Sequence, residues 1–410
     1  MPDERAPPLE TTADRTARAV FLAFLRLGLT AFGGPIAHIG WFREEFVVRR
    51  RWLDERAYAD LVALCQFLPG PASSQVGIAL GLGRAGLPGA FAAWIGFTLP
   101  SAILLVLAAE GFGRWHDALP AGLLHGLEVV AVAVVAQAVL GMARSLAPDL
   151  PRRATAAVAA AVVLALPGAT AQVGVILGGA LLGLALPREG AAPPVTVEAP
   201  VGGGTRAGRI ALALFAVVLV GLPIATALLP WHVPALVDAF WRAGALVFGG
   251  GHVVLPLLRS MVVDPGWVSE EAFLVGYAAA QAVPGPLFTF AAWLGAVAIP
   301  PPNGWAGATI ALVAVFAPSF LLVIGVLPHW ARLRANATVR RALRGVDAAV
   351  VGLLAAALIF PVGTAGVRSP ADAVLAATAF GALHLWKRPP WLVVAATAAA
   401  AVGLSRLGIG

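Results

Sequence analysis

The sequence predicts an all-α polytopic membrane protein, built as an inverted internal repeat with half-helices broken at FGGP/FGGG and PGP motifs. Three observations carry this expectation. The 410 residues are 60% hydrophobic and only 12% charged, with a mean hydropathy of +0.87. Motifs recur in order in the two halves, and the arginines of equivalent loops are distributed oppositely. An ordinary soluble domain is about 25% charged, and a soluble chain this apolar would expose large greasy patches. Composition therefore argues against a soluble enzyme, a nucleic-acid binder and a disordered chain. The one cysteine, Cys65, leaves no disulfide framework or cysteine zinc site. Net charge is +7, and Lys387 is the one lysine among 28 basic residues. Such an excess fits cytoplasmic loops better than a polyanionic partner.

In chain order, residues 1–17 are polar and mixed in charge. They lack the basic start, apolar run and small-residue cleavage site of a signal peptide, so none is expected. Residues 18–186 form the first repeat, 187–207 a polar linker, and 208–410 the second repeat with a leading helix at 208–229. A bilayer crossing needs about 20 apolar residues. The stretches 88–110, 118–146, 208–229, 305–328 and 345–362 approach or exceed that length. Those at 154–166, 169–186, 371–386 and 390–407 are shorter. With the broken segments, roughly 9–12 membrane segments are expected.

The repeat is read directly from matching residues. RLGLTAFGG at 26–34 meets RAGALVFGG at 242–250, pairing Arg26 with Arg242 and Gly33-Gly34 with Gly249-Gly250. Trp52, Glu55 and Gln66 meet Trp267, Glu270 and Gln281, and Pro69-Gly70-Pro71 meets Pro284-Gly285-Pro286. Further on, Pro100-Ser101 meets Pro318-Ser319, and Glu128 meets Asp347. Order is kept throughout, which chance matching of apolar sequence does not produce.

Arginine placement sets the relative orientation, because basic loops prefer the cytoplasm. The first half carries Arg43, Arg49, Arg50, Arg51 and Arg56 after FGGP; the matching stretch 257–272 has Arg259 against Asp264, Glu270 and Glu271. Further along the bias reverses: 331–344 holds Arg332, Arg334, Arg340, Arg341 and Arg344, and its counterpart 111–120 holds Arg114 with Asp117. Equivalent loops then lie on opposite sides, the inverted-repeat architecture of many secondary transporters. Inversion needs an odd number of crossings between equivalent points. The helices near 88–110, 118–146, 154–166, 169–186 and 208–229 supply them, so the FGGP and PGP regions are expected to re-enter without crossing. Irregular backbone at membrane depth is tolerated only inside protein or beside a cavity.

The chemistry is expected at these breaks. Proline removes a backbone donor and ends a helix; glycine permits the turn. Each new helix start exposes unpaired N–H groups and about half a positive charge, an anion site needing no lysine. Ser73, Ser74 and Gln75 follow Gly70 in the first turn, and Thr289 follows Gly285 in the second. The alternative is a structural kink whose hydroxyls satisfy freed carbonyls. Gly33, Gly34, Gly249 and Gly250 form the second pair of breaks, or permit close helix packing. Arg26 and Arg242 precede them on apolar segments. Their donor forks suit an oxyanion, unless they snorkel to the interface or pair with a carboxylate. Gln66 and Gln281 are the matched amides before the turns. Glu128 and Asp347, the repeated acids, either exchange protons or partner their own helix dipole. His38 and His252 follow the glycine breaks and titrate near neutral pH in principle. They do not match in position, which favours separate structural roles. No cluster has metal-ligand spacing, and no cofactor fingerprint stands in context, so neither metal nor cofactor is expected.

LGLTAFGGPIAHIGWFREEFV, RRRWLDERAYADLVALCQFLPGPASSQVGIALG and GFTLPS resemble the N-terminal half of the chromate ion transporter family. FWRAGALVFGGGHVVLPLL, GWVSEEAFLVGYAAAQAVPGPLFTFAAWLGA and APSFLL resemble its C-terminal half. The likeness spans most of 20–360 and points to the long two-domain form. It implies a multi-pass protein of the bacterial inner membrane that extrudes chromate, driven by the proton-motive force. The implied partners are a chromate- or sulfate-type oxyanion, protons and the lipid bilayer, with a homodimer allowed and no nucleic acid. It implies no enzyme activity. The residues alone give an inverted-repeat carrier with an anion-friendly midplane. A sulfate or other oxyanion carrier, an anion channel and a non-transporting scaffold stay open as alternatives.

Overall fold

The computed structural model describes residues 15–32, 34–115, 120, 122–166, 168–185, 204–229, 231–248 and 254–407. All regular structure among them is helical. The N-terminal segment 1–14, most of the linker, Gly33, Gly249, Gly250 and His252 lie outside the described residues.

The first half begins with α1 (Ala17–Thr30), capped by the Thr16 hydroxyl accepting from the Ala19 N–H. Next come α2 (Gly34–Arg43), running on into a π-helical turn at Glu44–Arg49, and α3 (Glu55–Phe67). The segment α4 (Ala72–Trp115) is two helices joined by a kink at Ala85 and Gly86, where Gly86 takes φ of 65°. Behind it stand α5 (Leu123–Leu146), α6 (Leu150–Ala165) and α7 (Ala169–Ala185). The leading helix of the second half is α8 (Thr205–Leu228), which buries little beyond Gly208 and Ala211.

The second half repeats the series. It comprises α9 (His232–Leu246), α10 (Val254–Val262), α11 (Glu270–Ala282), α12 (Phe290–Val297) and α13 (Gly304–Val326). A short α14 (Trp330–Ala335) leads into α15 (Ala337–Ala357) and a one-turn α16 (Thr364–Gly366). Two helices close the chain, α17 (Pro370–His384) and α18 (Pro390–Arg406).

Five helical stretches are long and apolar enough to cross a bilayer: Ala72–Arg114, Leu123–Leu146, Thr205–Leu228, Gly304–Leu333 and Ala337–Gly366. They contain the expected stretches 88–110, 305–328 and 345–362 and overlap most of 118–146 and 208–229, the described helices starting at Leu123 and ending at Leu228. The shorter expected segments form α6, α7, α17 and α18, of 16, 17, 15 and 17 residues.

Each PGP motif lies between short helices. The caps of the preceding helices match: Asp54 and Ser269 side chains each accept from the N–H three residues on. Both helices end at an extended residue before proline, Leu68 and Val283, as pre-proline sterics require. α3 and α11 have 13 residues each, roughly 20 Å at 1.5 Å per residue, short of a ~30 Å hydrocarbon core. After the second turn the chain doubles back. The Trp293 indole N–H donates 2.9 Å to the Ala272 carbonyl, and Trp293 covers Gly276.

The halves exchange partners. α5 of the first half packs on α17 and α18 of the second, and α15 of the second packs on α6 and α7 of the first. Small residues allow both contacts. Gly126 lies against Ala398 and Ala401, and its counterpart Gly345 against Gly179 and Gly183. The core falls into clusters: the largest centres on α9–α13 and α5, an aromatic one on Phe24, Phe42, Phe46 and Phe97, and another joins α4 to α13.

Candidate functional site

The exchange is tightest at the breaks. The Gly70 N–H, in the first PGP turn, donates 2.6 Å to the Val247 carbonyl at the end of α9. The Gly285 N–H, in the second turn, donates 3.1 Å to the Ala31 carbonyl at the end of α1. Ala31 and Val247 are repeat equivalents, each one residue ahead of an FGG break. Each turn therefore docks on the unwound end of the other half's helix. Both turn glycines adopt left-handed φ, +113° and +106°, which side chains rarely tolerate.

At the first junction, the place a Gly70 side chain would occupy is ringed by Gln75 Nε2 at 2.8 Å, the Gly244 carbonyl at 3.0 Å and Ser319 Oγ at 3.1 Å. Gln75 Nε2 donates 2.6 Å to the Pro69 carbonyl, bracing the turn. The first helical bond runs from Gln75 N–H to the Pro71 carbonyl, so the N–H groups of residues 72–74 have no intrahelical acceptor. Ser73, Ser74, Gln75 and Ser319 are buried. Ser74 Oγ, Gln75 Oε1 and Ser319 Oγ have no hydrogen-bond partner.

At the second junction, Ser101 Oγ stands 2.7 Å from the corresponding point over Gly285. Two buried hydroxyls here are turned onto their own backbone. Thr289 Oγ1 donates to the Pro286 carbonyl at 2.7 Å and Ser101 Oγ to the Thr98 carbonyl at 3.0 Å. His38, on α2, donates from Nε2 to the Ala31 carbonyl at 3.2 Å, the same oxygen that receives Gly285. His38 Nδ1 and Thr98 Oγ1 are buried without partners.

The other sequence-derived candidates have different surroundings. Arg26 and Gln66 are exposed. Arg242 is paired with the buried Asp238 one turn earlier on α9. Gln281, half-buried, shares a side-chain hydrogen bond with Tyr277. Gly34 starts α2 with φ of 75°. Gly33, Gly249, Gly250 and His252 fall outside the described residues.

The repeated acids occupy the outer exchange interface. Buried Glu128 accepts from Arg368 Nη2 at 2.5 Å, and its Oε2 lies 3.3 Å from His125 Nδ1. The other ring nitrogen, Nε2, is 2.8 Å from Asp372 Oδ1, while Asp372 Oδ2 accepts the Arg368 and Ser369 N–H groups. His125 stands between carboxylates of opposite halves. Asp347, half-buried on α15, lies within electrostatic reach of Arg152 at the start of α6. Ser319, Ser101, His125, Arg368 and Asp372 belong to these clusters, and reading the sequence did not single them out for chemistry. The serines were signalled by the Pro-Ser repeat; the His125–Arg368 cluster joins distant positions and left no local signal. Among the described residues, no His, Cys, Asp and Glu group is arranged to hold a metal ion.

Comparison with known proteins follows the same duplication. The family model described as chromate transporter matches residues 18–184 and again 234–404. A Chromate transport protein of Pseudomonas aeruginosa is 30% identical over 390 residues, covering 94% of this chain and 91% of that one. A Probable chromate transport protein of Synechococcus elongatus is 31% identical over 344 residues, 82% of each chain. A Chromate transport protein of Cupriavidus metallidurans is 26% identical over 365 residues, covering 86% and 84%. No solved structure matches significantly.

Proposed function

Because this chain belongs to the chromate transporter family, we propose that it is a secondary carrier that exports a chromate-type oxyanion from the cytoplasm, coupled to protons. One observation carries this reading: repeat-equivalent breaks from both halves are hydrogen-bonded to one another by Gly70–Val247 and Gly285–Ala31. A scaffold has no need of paired breaks inside apolar helices. A carrier uses them, because broken helices bring backbone donors to the membrane midplane and two repeats rock about them.

In this reading the substrate is held by helix-start amides and by buried hydroxyls at a PGP turn. A tetrahedral anion replaces its water there by several donors at once. Rocking separates one set of exchanged contacts while preserving the other. Glu128 and Asp347 sit where such rocking acts, between α5 or α15 and the opposite half's terminal helices. Protonation of Glu128 weakens its bond to Arg368 and loosens that interface, which links proton entry to the change of access. The halves carry opposite orientations in the membrane, with Arg43–Arg56 and Arg332–Arg344 both cytoplasmic.

The test is flux of labelled chromate and sulfate in proteoliposomes, with and without imposed pH and voltage gradients. Chromate movement accelerated by an inward proton gradient is the expected result. Flux insensitive to pH would indicate a channel, preference for sulfate another oxyanion carrier, and no flux a non-transporting role.

A further inference from the structure

The junctions match in backbone and differ in chemistry. At the first, Ser74 and Ser319 present hydroxyls, both buried and both without partners, at a turn whose amides 72–74 have no intrahelical acceptor. At the second, the two corresponding hydroxyls, on Thr289 and Ser101, are spent on backbone carbonyls. The residues around Thr289 are Leu287, Phe288 and Phe290, where the first turn has Ser73 and Gln75. The partnerless atoms of the second junction are Thr98 Oγ1 and His38 Nδ1. In the neutral imidazole, with Nε2 donating to Ala31, His38 Nδ1 is an acceptor and offers an anion no hydrogen bond.

We propose that the first junction alone is the oxyanion cradle: the hydroxyls of Ser74 and Ser319 and the amides of residues 72–74 hold the substrate, and the second junction is a structural copy. This rests on the oxyanion reading above. Ser319 comes from α13 and the turn from the first half, so the cradle is complete only while the halves are together. Gln75 is a positioning residue, holding the Pro69 carbonyl and hence the turn. Side chains that bond nothing inside the protein do not hold the fold together. A buried hydroxyl without a partner costs stability, and its removal is neutral or stabilising. That separates a ligand role from a structural one.

The experiment measures equilibrium binding of labelled chromate to the purified full-length protein, with thermal unfolding of each variant alongside. Ser319→Ala and Ser74→Ala are expected to weaken binding roughly ten- to a hundredfold, the value of one charge-assisted donor. Their unfolding midpoints should stay level or rise. Ser101→Ala, Thr289→Val and Thr98→Val should bind within about twofold of the unaltered protein. Equal losses in both sets would overturn the asymmetry while leaving the turns as the site. Wild-type affinity in every variant would overturn the cradle and the turn-based site together. A fall in unfolding midpoint with Ser319→Ala would make that hydroxyl structural and overturn its role as ligand. Absence of chromate binding by the unaltered protein would count against the oxyanion reading itself.

Discussion

A side chain at Gly70 would meet Gln75, Ser319 and the Gly244 carbonyl within about the space of one methyl group, on a backbone already left-handed. Gly285 is similarly confined by Ser101 and the Phe97 carbonyl. Gly70→Val and Gly285→Val should therefore push each turn off the opposite half's helix end. Transport is expected to fall at least tenfold in both, with protein still reaching the membrane; flux in proteoliposomes and membrane yield measure the two. Glu128→Gln and Asp347→Asn are expected to leave chromate binding measurable and to abolish its stimulation by a pH gradient. Unchanged pH dependence in both would remove these acids from coupling. At this scale much was legible, because proline and glycine write their backbone consequences locally. Arg26 shows the limit. Its apolar neighbours fit an inward role or snorkelling to the interface alike, and α1 presents it on the exposed side; which face a helix turns inward depends on packing partners far along the chain.

The elements record their boundaries in their caps. Asp149 caps α6, accepting from the Arg152 N–H at 2.9 Å and pairing with the Arg152 side chain at 2.7 Å. The backbone bond first, and then the Arg152 side chain, hold its carboxyl below the ordinary range. Stability from this cap is thus present above the unfolded carboxylate's pKa and lost as pH falls through the lowered folded value. Asp149→Ala should destabilise by roughly 0.5–2 kcal/mol near neutral pH, and the difference from wild type should shrink in acid; thermal unfolding against pH checks this. Orientation belongs to elements too. Reporters fused after residues 51 and 340 should read cytoplasmic, and one after 268 external. Agreement between 51 and 268 would refute inversion. The five long apolar stretches were visible from hydropathy alone. The 13-residue lengths of α3 and α11 were not, because a half-spanning helix and a short crossing share one composition.

Across the whole molecule, the duplicated motifs revealed two halves, but not that each would complete the other. Hydropathy and spacing are properties of one segment; the pairing of α5 with α17 and α18, or of Gly70 with Val247, is a property of two distant ones. That exchange has a consequence for biosynthesis. As the chain leaves the ribosome, the first half meets the membrane with its PGP turn undocked and α5 lacking its cover, and neither is supplied until the second half has been made. The nascent first half is then a client awaiting its complement, exposed to quality-control proteases for as long as translation takes. Expressed alone, residues 1–203 or 204–410 should be degraded rapidly. Made together from separate messages, they should rescue each other and co-purify, a result readable from pulse-chase half-lives. A ribosome stall between the halves would leave no half-active protein behind, only a fragment to be cleared.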